Sequence, residues 1–172
     1  MESNTLSFEA SPWAGHEINC PYALLSALFD FAHLHELKHF LTSMMSYCYK
    51  NKVFFKKNPG HALTIHMVLH SLLRVGYVLQ VHTESYRVEE NAHIPKDLGL
   101  GALTPEEYKN PFLVFQKAFR SHTLSEFDLA CFEIVLFSLS PSPDTITWDF
   151  FNPYNHLLKM LDASWLIHIR GL

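Results

Sequence analysis

The stretch HALTIHMVLHSLLRVGYVL, residues 61 to 79, contains a single formally charged residue, Arg74. Its apolar residues recur at spacings of three and four, which is the period of an α-helix and not the alternation of a strand. They form one stripe along the helix: Ala62, Ile65, Leu69, Leu72 and Leu73. The other faces hold few polar residues, which favours burial on several sides. The stretch therefore predicts a helix in the core.

Signals for the start of a helix punctuate the sequence on both sides of this stretch. Asn-Pro occurs at 58–59, 110–111 and 152–153, each time just before an apolar-rich segment. Asparagine can accept from the free amides of a first turn, and proline lacks an amide hydrogen that would be unpaired there. Thr-x-x-Glu at 104–107 and 123–126 has the spacing of a capping box. These signals predict helices at about 21–50, 59–83, 105–121 with a bend at 110–111, 124–139 and 153–170.

Strand-like alternation is hard to find elsewhere in the sequence. The closest match is TITWDFF at 145–151, which is short and lies next to a helix start. The prediction is an all-α fold, a single-domain bundle of four to five helices that spans residues 1–172. Residues 1–20 are expected to form an irregular N-terminal arm, and 84–103 to form a long connection.

Composition and charge restrict the class of protein. The chain has 172 residues, 48% of them apolar and 17% charged, with a net charge of −4 that argues against a nucleic-acid partner. The three cysteines, Cys20, Cys48 and Cys131, are odd in number and far apart, so they predict neither a disulfide framework nor a Cys-x-x-Cys site. The uncharged stretch 58–73 is shorter than the roughly 20 residues that span a bilayer, and the N-terminus has no apolar signal region. We expect a soluble, cytoplasmic protein with reduced thiols and no membrane partner.

The chain contains 12 histidines, and several are spaced for metal ligation. His35 and His39 are four residues apart, as are His66 and His70, so each pair lies on one face of a helix. Two such pairs on adjacent antiparallel helices could supply four nitrogens to zinc or a similar divalent transition metal. Glu36 and His39 also form the Glu-x-x-His spacing of carboxylate-bridged metal bundles, although a second such motif is absent.

The candidate metal ligands are therefore His35, Glu36, His39, His66 and His70. Counted from the connection between the first two predicted helices, His39 and His70 come at nearly equal height, at 1.5 Å per residue. They are the expected nearest pair across the two helices, whereas ligation by all four histidines would be strained. The competing interpretation is that the histidines lie at helix boundaries and bind neighbouring hydroxyls and carbonyls.

One acidic residue, Glu133, lies inside the apolar stretch LACFEIVLF. A carboxylate placed there must pair, take up a proton or face a cavity. Arg74, the lone formal charge of its own apolar stretch, is its predicted partner. Among other motifs, GLG at 99–101 lacks the third glycine of a dinucleotide-binding loop, and no Walker loop or Gly-x-Ser-x-Gly occurs.

NPFLVFQKAF (110–119) followed by LSEFDLACFEIVLFSLS (124–140) resembles segments of uncharacterised all-helical bacterial proteins. The resemblance implies a helical fold and carries over no catalytic residue. The chain is also rich in the aromatic residues that anchor interfaces. The function predicted is that of a non-enzymatic helical protein that binds a protein partner or assembles with itself. The alternative is a metal-binding helical-bundle enzyme or sensor that uses the paired histidines.

Overall fold

The computed structural model describes residues 7–54, 57–82, 99–141 and 149–171. Within these ranges it contains helices and no strand, so the predicted all-α class is confirmed there. The described helices number eight, more than the four to five predicted. They are α1 (Ser11–Ala14), α2 (Pro21–Phe31), α3 (Leu34–Tyr47), α4 (Gly60–Leu79), α5 (Pro105–Lys109), α6 (Phe112–Ser121), α7 (Leu124–Ser138) and α8 (Phe151–Arg170).

The first predicted helix is two helices, because the backbone leaves the helical region at two consecutive residues. Ala32 has φ −154° and ψ 142°, and His33 has φ −65° and ψ 153°, both extended conformations. The side chain of Glu36 accepts a hydrogen bond from the backbone N–H of His33 at 2.9 Å. This bond satisfies a free amide at the new helix start, so a predicted metal ligand is instead a capping residue of α3.

A second break separates α5 from α6 at the predicted bend. Asn110 is extended, and its side-chain oxygen accepts from the backbone N–H of Phe112 at 3.1 Å, as its place before a helix start predicts. Both predicted capping boxes are present. Thr104 and Glu107 close one at the start of α5, and Thr123 and Glu126 close the other at the start of α7.

The remaining Asn-Pro pairs behave differently from the prediction. At the start of α4, Pro59 precedes the first helical residue and no side chain caps the helix. In α8 the helix begins at Phe151, two residues before the expected position. Its first amide donates to Oδ1 of Asp149 at 2.8 Å. Asp149, one residue before the N-cap Phe150, thus satisfies this amide, and the last Asn-Pro pair lies inside the first turn.

Two long helices organise the packing of the described residues. α4 packs most extensively against α7 and also against α2 and α6, whereas α8 packs against α3, α2 and α6. α4 approaches α6 closely at Gly76, where an added Cβ would lie 2.8 Å from the ring of the fully buried Phe115. The predicted stripe of α4 is buried, as are residues on its other faces such as Val68 and Val75.

The N-terminal arm is more ordered than predicted from Ser7 onward. It contains α1, and its apolar residues Phe8, Ala10 and Ile18 are buried in the core. The Nε1–H of Trp13 donates to Oγ of Ser71 on α4 at 2.9 Å. The predicted connection 84–103 lies outside the described residues up to 98, as does most of TITWDFF.

α4 is also the described helix whose length and hydropathy would let it cross a membrane. However, 56% of its most apolar window is buried against other parts of the chain. The core helix of a water-soluble protein has the same two properties.

Candidate functional site

A cavity of about 530 Å³ lies between the first half of α3 and α8. Its volume is within the range of small-molecule sites, roughly 300–1,000 Å³. The lining residues come from both helices and from the turn before α5: His33, Leu34, His35, Lys38, His39, Thr42, Gly99 and Trp165. Two of the predicted metal ligands, His35 and His39, therefore lie in one cavity.

A buried ion pair fixes one wall of this cavity. Nζ of Lys38 lies 2.7 Å from Oδ1 of Asp162, a fully buried residue of α8, and donates to the carbonyl of Gly99 at 2.9 Å. The second oxygen of Asp162 accepts from the N–H of Ala102 at 3.3 Å. Burial raises the pKa of Asp162, and the neighbouring ammonium of Lys38 opposes that rise. The pair ties α3 to α8 and to the turn that carries Gly99.

The imidazoles stand on the exposed side of the cavity. The rings of His33 and His35 are stacked, with centroids 5.9 Å apart and planes at 15°. His39 lies one turn further along α3 than His35. On the opposite wall, the indole of Trp165 packs edge to face against Phe29, with centroids 4.9 Å apart. The cavity thus has the indole of Trp165, packed against Phe29, on one wall and three solvent-exposed imidazoles on the other.

The second predicted histidine pair, His66 and His70, lies in a different and smaller cavity of about 190 Å³ next to Glu9. Nε2 of His70 is 3.1 Å from Oε2 of Glu9, and Nδ1 is 2.8 Å from Oδ1 of Asp128 on α7. The contact with Asp128 raises the pKa of His70 against the opposing effect of burial. With a carboxylate at each ring nitrogen, the imidazole needs both protons and has no lone pair left for a metal.

The structure does not bring the two histidine pairs together. In the described residues, no group of three or more His, Cys, Asp or Glu side chains is placed to hold a metal ion. The predicted proximity of His39 and His70 assumed that α4 packs mainly against the helix before it. α4 instead packs mainly against α7, and the residue that faces His70 is Asp128. The expected pairing of His39 with His70 is therefore not found in the described residues, where the ring nitrogens of His70 face Glu9 and Asp128.

Arg74 also has other partners than the one predicted. Its Nε and Nη2 donate to Oε1 of Glu9 at 3.1 and 2.9 Å, and its Nη1 lies 3.7 Å from Asp128. Glu133 follows Asp128 by five residues, which places it about 140° further around a helix of 3.6 residues per turn. The prediction that Arg74 pairs with Glu133 is therefore wrong, because the acidic partners of Arg74 are Glu9 and Asp128. Glu9 was missed because it belongs to the arm that was expected to be irregular.

Two further polar clusters were not predicted, because their members are distant in sequence. Glu107 is 2% exposed and accepts from Lys159 at 2.8 Å and from Lys117 at 3.1 Å. Ser121 lies 3.0 Å from Nε2 of His156 and 2.9 Å from Nδ1 of His122. Of these residues, the sequence analysis had identified Glu107, but as a member of a capping box and not as the acceptor of two lysines.

The serine–histidine cluster is not arranged as an activated nucleophile. Oγ of Ser121 donates to the carbonyl of Ala118 at 2.8 Å, and a carbonyl only accepts. The single hydroxyl proton is therefore used, and both imidazoles must donate to Oγ. The buried thiols are equally unsuited, since burial raises the pKa of Cys48 to about 11 and that of Cys131 to about 12.

The outer face of α7 carries a stripe of exposed apolar residues. Leu129, Phe132 and Leu136 are 49%, 53% and 52% exposed, and their spacing of three and four places them on one side of the helix. Asp128, near the start of α7, contacts the middle of α4, whereas the carbonyl of Ser138 at its end accepts from Phe54, just before α4. α4 and α7 therefore run antiparallel, and Leu63, 49% exposed near the start of α4, lies toward the Leu136 end.

No family model, curated protein or solved structure matches this chain. The resemblance of residues 110–140 to helical bacterial proteins stays a prediction.

Proposed function

We propose that this protein is a non-enzymatic binding protein that holds a partner helix on the outer face of α7. The observation that carries the proposal is the stripe of Leu129, Phe132 and Leu136, which leaves about half of each side chain in water. Single exposed apolar residues are common, but contiguous ones on one helix face are typical of interaction surfaces. An amphipathic helix recognises such a surface through apolar side chains at the same helical spacing.

The negative charge of α7 indicates that the partner helix is positively charged. The helix carries three acidic residues, Glu126, Asp128 and Glu133, of which Asp128 contacts His70 and Arg74 of α4, and it has no lysine, arginine or histidine. A second copy docked through the same face would bring like charges together, which is unfavourable across an interface. A partner helix with lysine or arginine beside its apolar stripe has the complementary charge.

The polar clusters support a binding role over catalysis. The hydroxyl proton of Ser121 is directed to a carbonyl, and the pKa values of the Cys48 and Cys131 thiols are raised by burial. His70 has a carboxylate at each nitrogen and is thereby used in the contact of the N-terminal arm with α4 and α7.

The test is direct binding of a fluorescent synthetic helix. The probe has leucine at helical spacing and lysine at the flanking positions, and the matched peptide has glutamate in place of each lysine. We expect saturable binding of the lysine peptide only. The double variant Phe132→Ser/Leu136→Ser should weaken it about tenfold or more, as expected for central interface anchors. Ile169→Ser, which removes an apolar side chain 45% exposed on α8, is the control and should bind like the unmodified protein.

Sedimentation of the protein alone tests the other occupant of this face. A dimer that dissociates in Phe132→Ser/Leu136→Ser would show that the face binds a second copy, and would contradict the basic partner. A monomer that fails to bind the lysine peptide, or binds both peptides equally, would also contradict the proposal.

A further inference from the structure

We propose that the cavity between α3 and α8 binds a small organic anion that carries a planar ring. This site is separate from the face of α7 and does not depend on the function proposed for that face. The main observation is that the lining has basic side chains and no acidic one among the described residues. Every ionisable side chain among the described lining residues is a nitrogen base: three imidazoles and the ammonium of Lys38.

Among the described residues, two carboxylates adjoin lining residues of the cavity, and both are directed elsewhere. Glu36 follows His35 in sequence, but its side chain accepts from the backbone N–H of His33 at the start of α3. Asp162 is fully buried and accepts from Lys38 and Ala102 behind the cavity wall. The carboxylate of Asp162 holds Lys38 in place, and the imidazoles of His35 and His39 remain to donate to an anionic ligand. Charge-assisted hydrogen bonds of this kind are the stronger ones in proteins.

The apolar part of the lining indicates a flat ligand. Trp165 forms one wall, and its ring is fixed by Phe29 behind it. Across from α8, the stacked rings of His33 and His35 and the buried side chain of Leu34 supply further flat and apolar surface. Ligand sites typically combine an apolar lining with a few converging polar groups that fix orientation. An aromatic ring fits between these surfaces, with its anionic group toward the imidazoles.

A metal ion fits the same cavity less well. Zinc sites in proteins use three or four protein ligands. Three imidazoles line the cavity, those of His33, His35 and His39. In the part of the chain that the structure describes, however, no three His, Cys, Asp or Glu side chains are placed to hold one metal ion. Zinc is therefore the contrasting outcome of the experiment.

The experiment follows the side-chain NMR signals of His35, His39 and Trp165 during titration. The probes are 2-naphthoate, 2-naphthyl phosphate, the neutral 2-naphthylmethanol and, separately, Zn²⁺. We expect saturable shifts with the anions, and the naphthoate and phosphate arms then distinguish a carboxylate ligand from a phosphate one. Naphthylmethanol should bind about tenfold more weakly or worse, because it lacks a charged acceptor.

Two variants separate the cavity from general effects of histidine loss. His35→Gln/His39→Gln should weaken anion binding about tenfold or more, and both side chains are exposed, so the fold should persist. His16→Gln removes an exposed histidine outside the cavity and should leave binding unchanged.

The proposal is overturned if neither anion gives saturable chemical-shift changes at ligand concentrations up to about 10 mM. A dissociation constant above that concentration would be too weak for a specific site. Equal binding of the alcohol, unchanged binding in the double variant, or tight zinc binding at these histidines would overturn it too.

Discussion

His66 and His70 are one helical turn apart on α4, yet their surroundings move their pKa values in opposite directions. Burial lowers the pKa of His66, and the charge of His70 lowers it further. The contact with Asp128 raises the pKa of His70. Nδ1 of His66 is buried and has no hydrogen-bond partner among the described residues. His66 therefore binds its second proton less readily than an ordinary histidine, and His70 binds it more readily.

Replacing His70 by glutamine should remove a pH-dependent contribution to stability. Because the folded-state pKa is raised, the contribution is fully present below the ordinary pKa of 6.5 and is lost as the pH rises through the folded-state value. At pH 6 we expect His70→Gln to lower the free energy of unfolding by about 1 kcal/mol, the scale of a charged hydrogen bond that is partly exposed. Urea unfolding of both proteins from about pH 5 to about pH 9 measures the difference, which should shrink as the pH rises.

His66→Gln is the matched control for this titration. The folded-state pKa of His66 is lowered, so the unmodified protein loses stability through His66 as the pH falls below 6.5, and the variant does not. The two variants should therefore differ from the unmodified protein with opposite pH slopes. Equal slopes would contradict the opposite shifts of the two pKa values.

Glu107 contributes stability that acid should remove. Burial raises the pKa of Glu107, but hydrogen bonds from Lys159, the amide of Thr104 and Lys117 outweigh this effect and hold the pKa at about 2. The contribution is present above the ordinary pKa of 4.5 and is lost as the pH falls toward about 2. Glu107→Gln keeps the capping-box bond and removes the charge, so it should cost about 2 kcal/mol, less than a fully buried pair because both lysines reach water.

Glu126→Gln provides the control, since Glu126 has the same capping-box position in α7 but is exposed. Chemical denaturation at pH 7 should show a much smaller loss for this variant. If the two variants lose the same stability, the ion pairs of Glu107 contribute nothing beyond the cap.

At the scale of the helices, Gly76 sets the distance between α4 and α6. Alanine has the higher helix propensity by about 1 kcal/mol, but its Cβ would lie 2.8 Å from the fully buried ring of Phe115. Overpacking of this kind costs about 1–3 kcal/mol, so we expect Gly76→Ala to be destabilising. Gly60→Ala, whose Cβ would meet only Asn58 at 3.5 Å, should be neutral or stabilising. Thermal unfolding of both variants tests the difference, and a gain in melting temperature for Gly76→Ala would contradict the close approach.

Local chemistry explains which helix boundaries could be predicted. The capping boxes at Thr104 and Thr123 involve residues three apart, so the sequence alone locates both helix starts. The break at Ala32–His33 has no proline or glycine to announce it. Its cap is Glu36, whose spacing from His39 pointed to a metal site instead. The N-cap of α3 is His33 and not the Ser or Thr of a typical capping box, so the sequence did not reveal this helix start.

The sequence predicted which residues on one helix would lie side by side in the candidate sites. It did not predict which helices would come together to form each site. Residues four apart on one helix were correctly expected to share a face, and His35 and His39 line one cavity. Which helices face one another depends on tertiary packing, and α7 rather than α3 is the main neighbour of α4. The role of Trp165 likewise depends on a contact between α3 and α8 that local periodicity does not reveal.

At the scale of the whole molecule, the N-terminal arm closes over α4 through contacts that span some sixty residues of sequence. The carboxylate of Glu9 lies between His70 and Arg74, and the backbone carbonyl of Glu9 accepts from Oγ of Ser71. Glu9 has φ +52°, in the left-handed region that non-glycine residues rarely adopt. Glu17 supports this turn by accepting from the amides of Glu9 and Ser11.

We expect the arm to open before the core does, because it buries few apolar side chains and Glu9 is half exposed. The indole N–H of Trp13, bonded to Ser71, reports on this opening by hydrogen exchange, and the amide of Leu72 in α4 reports on the core. In the unmodified protein, the opening free energy measured at Trp13 should be lower than that measured at Leu72. Glu9→Gln weakens the ion pairs by about 1 kcal/mol, so Trp13 exchange should accelerate about fivefold, whereas Gly76→Ala, which perturbs a core contact that remains when the arm opens, should accelerate Leu72 and leave Trp13 nearly unchanged. Glu106→Gln removes an exposed ion pair with Lys117 and should affect neither. If Trp13 and Leu72 have the same opening free energy in the unmodified protein, or if Gly76→Ala accelerates both equally, the arm unfolds only with the whole molecule and the prediction is wrong.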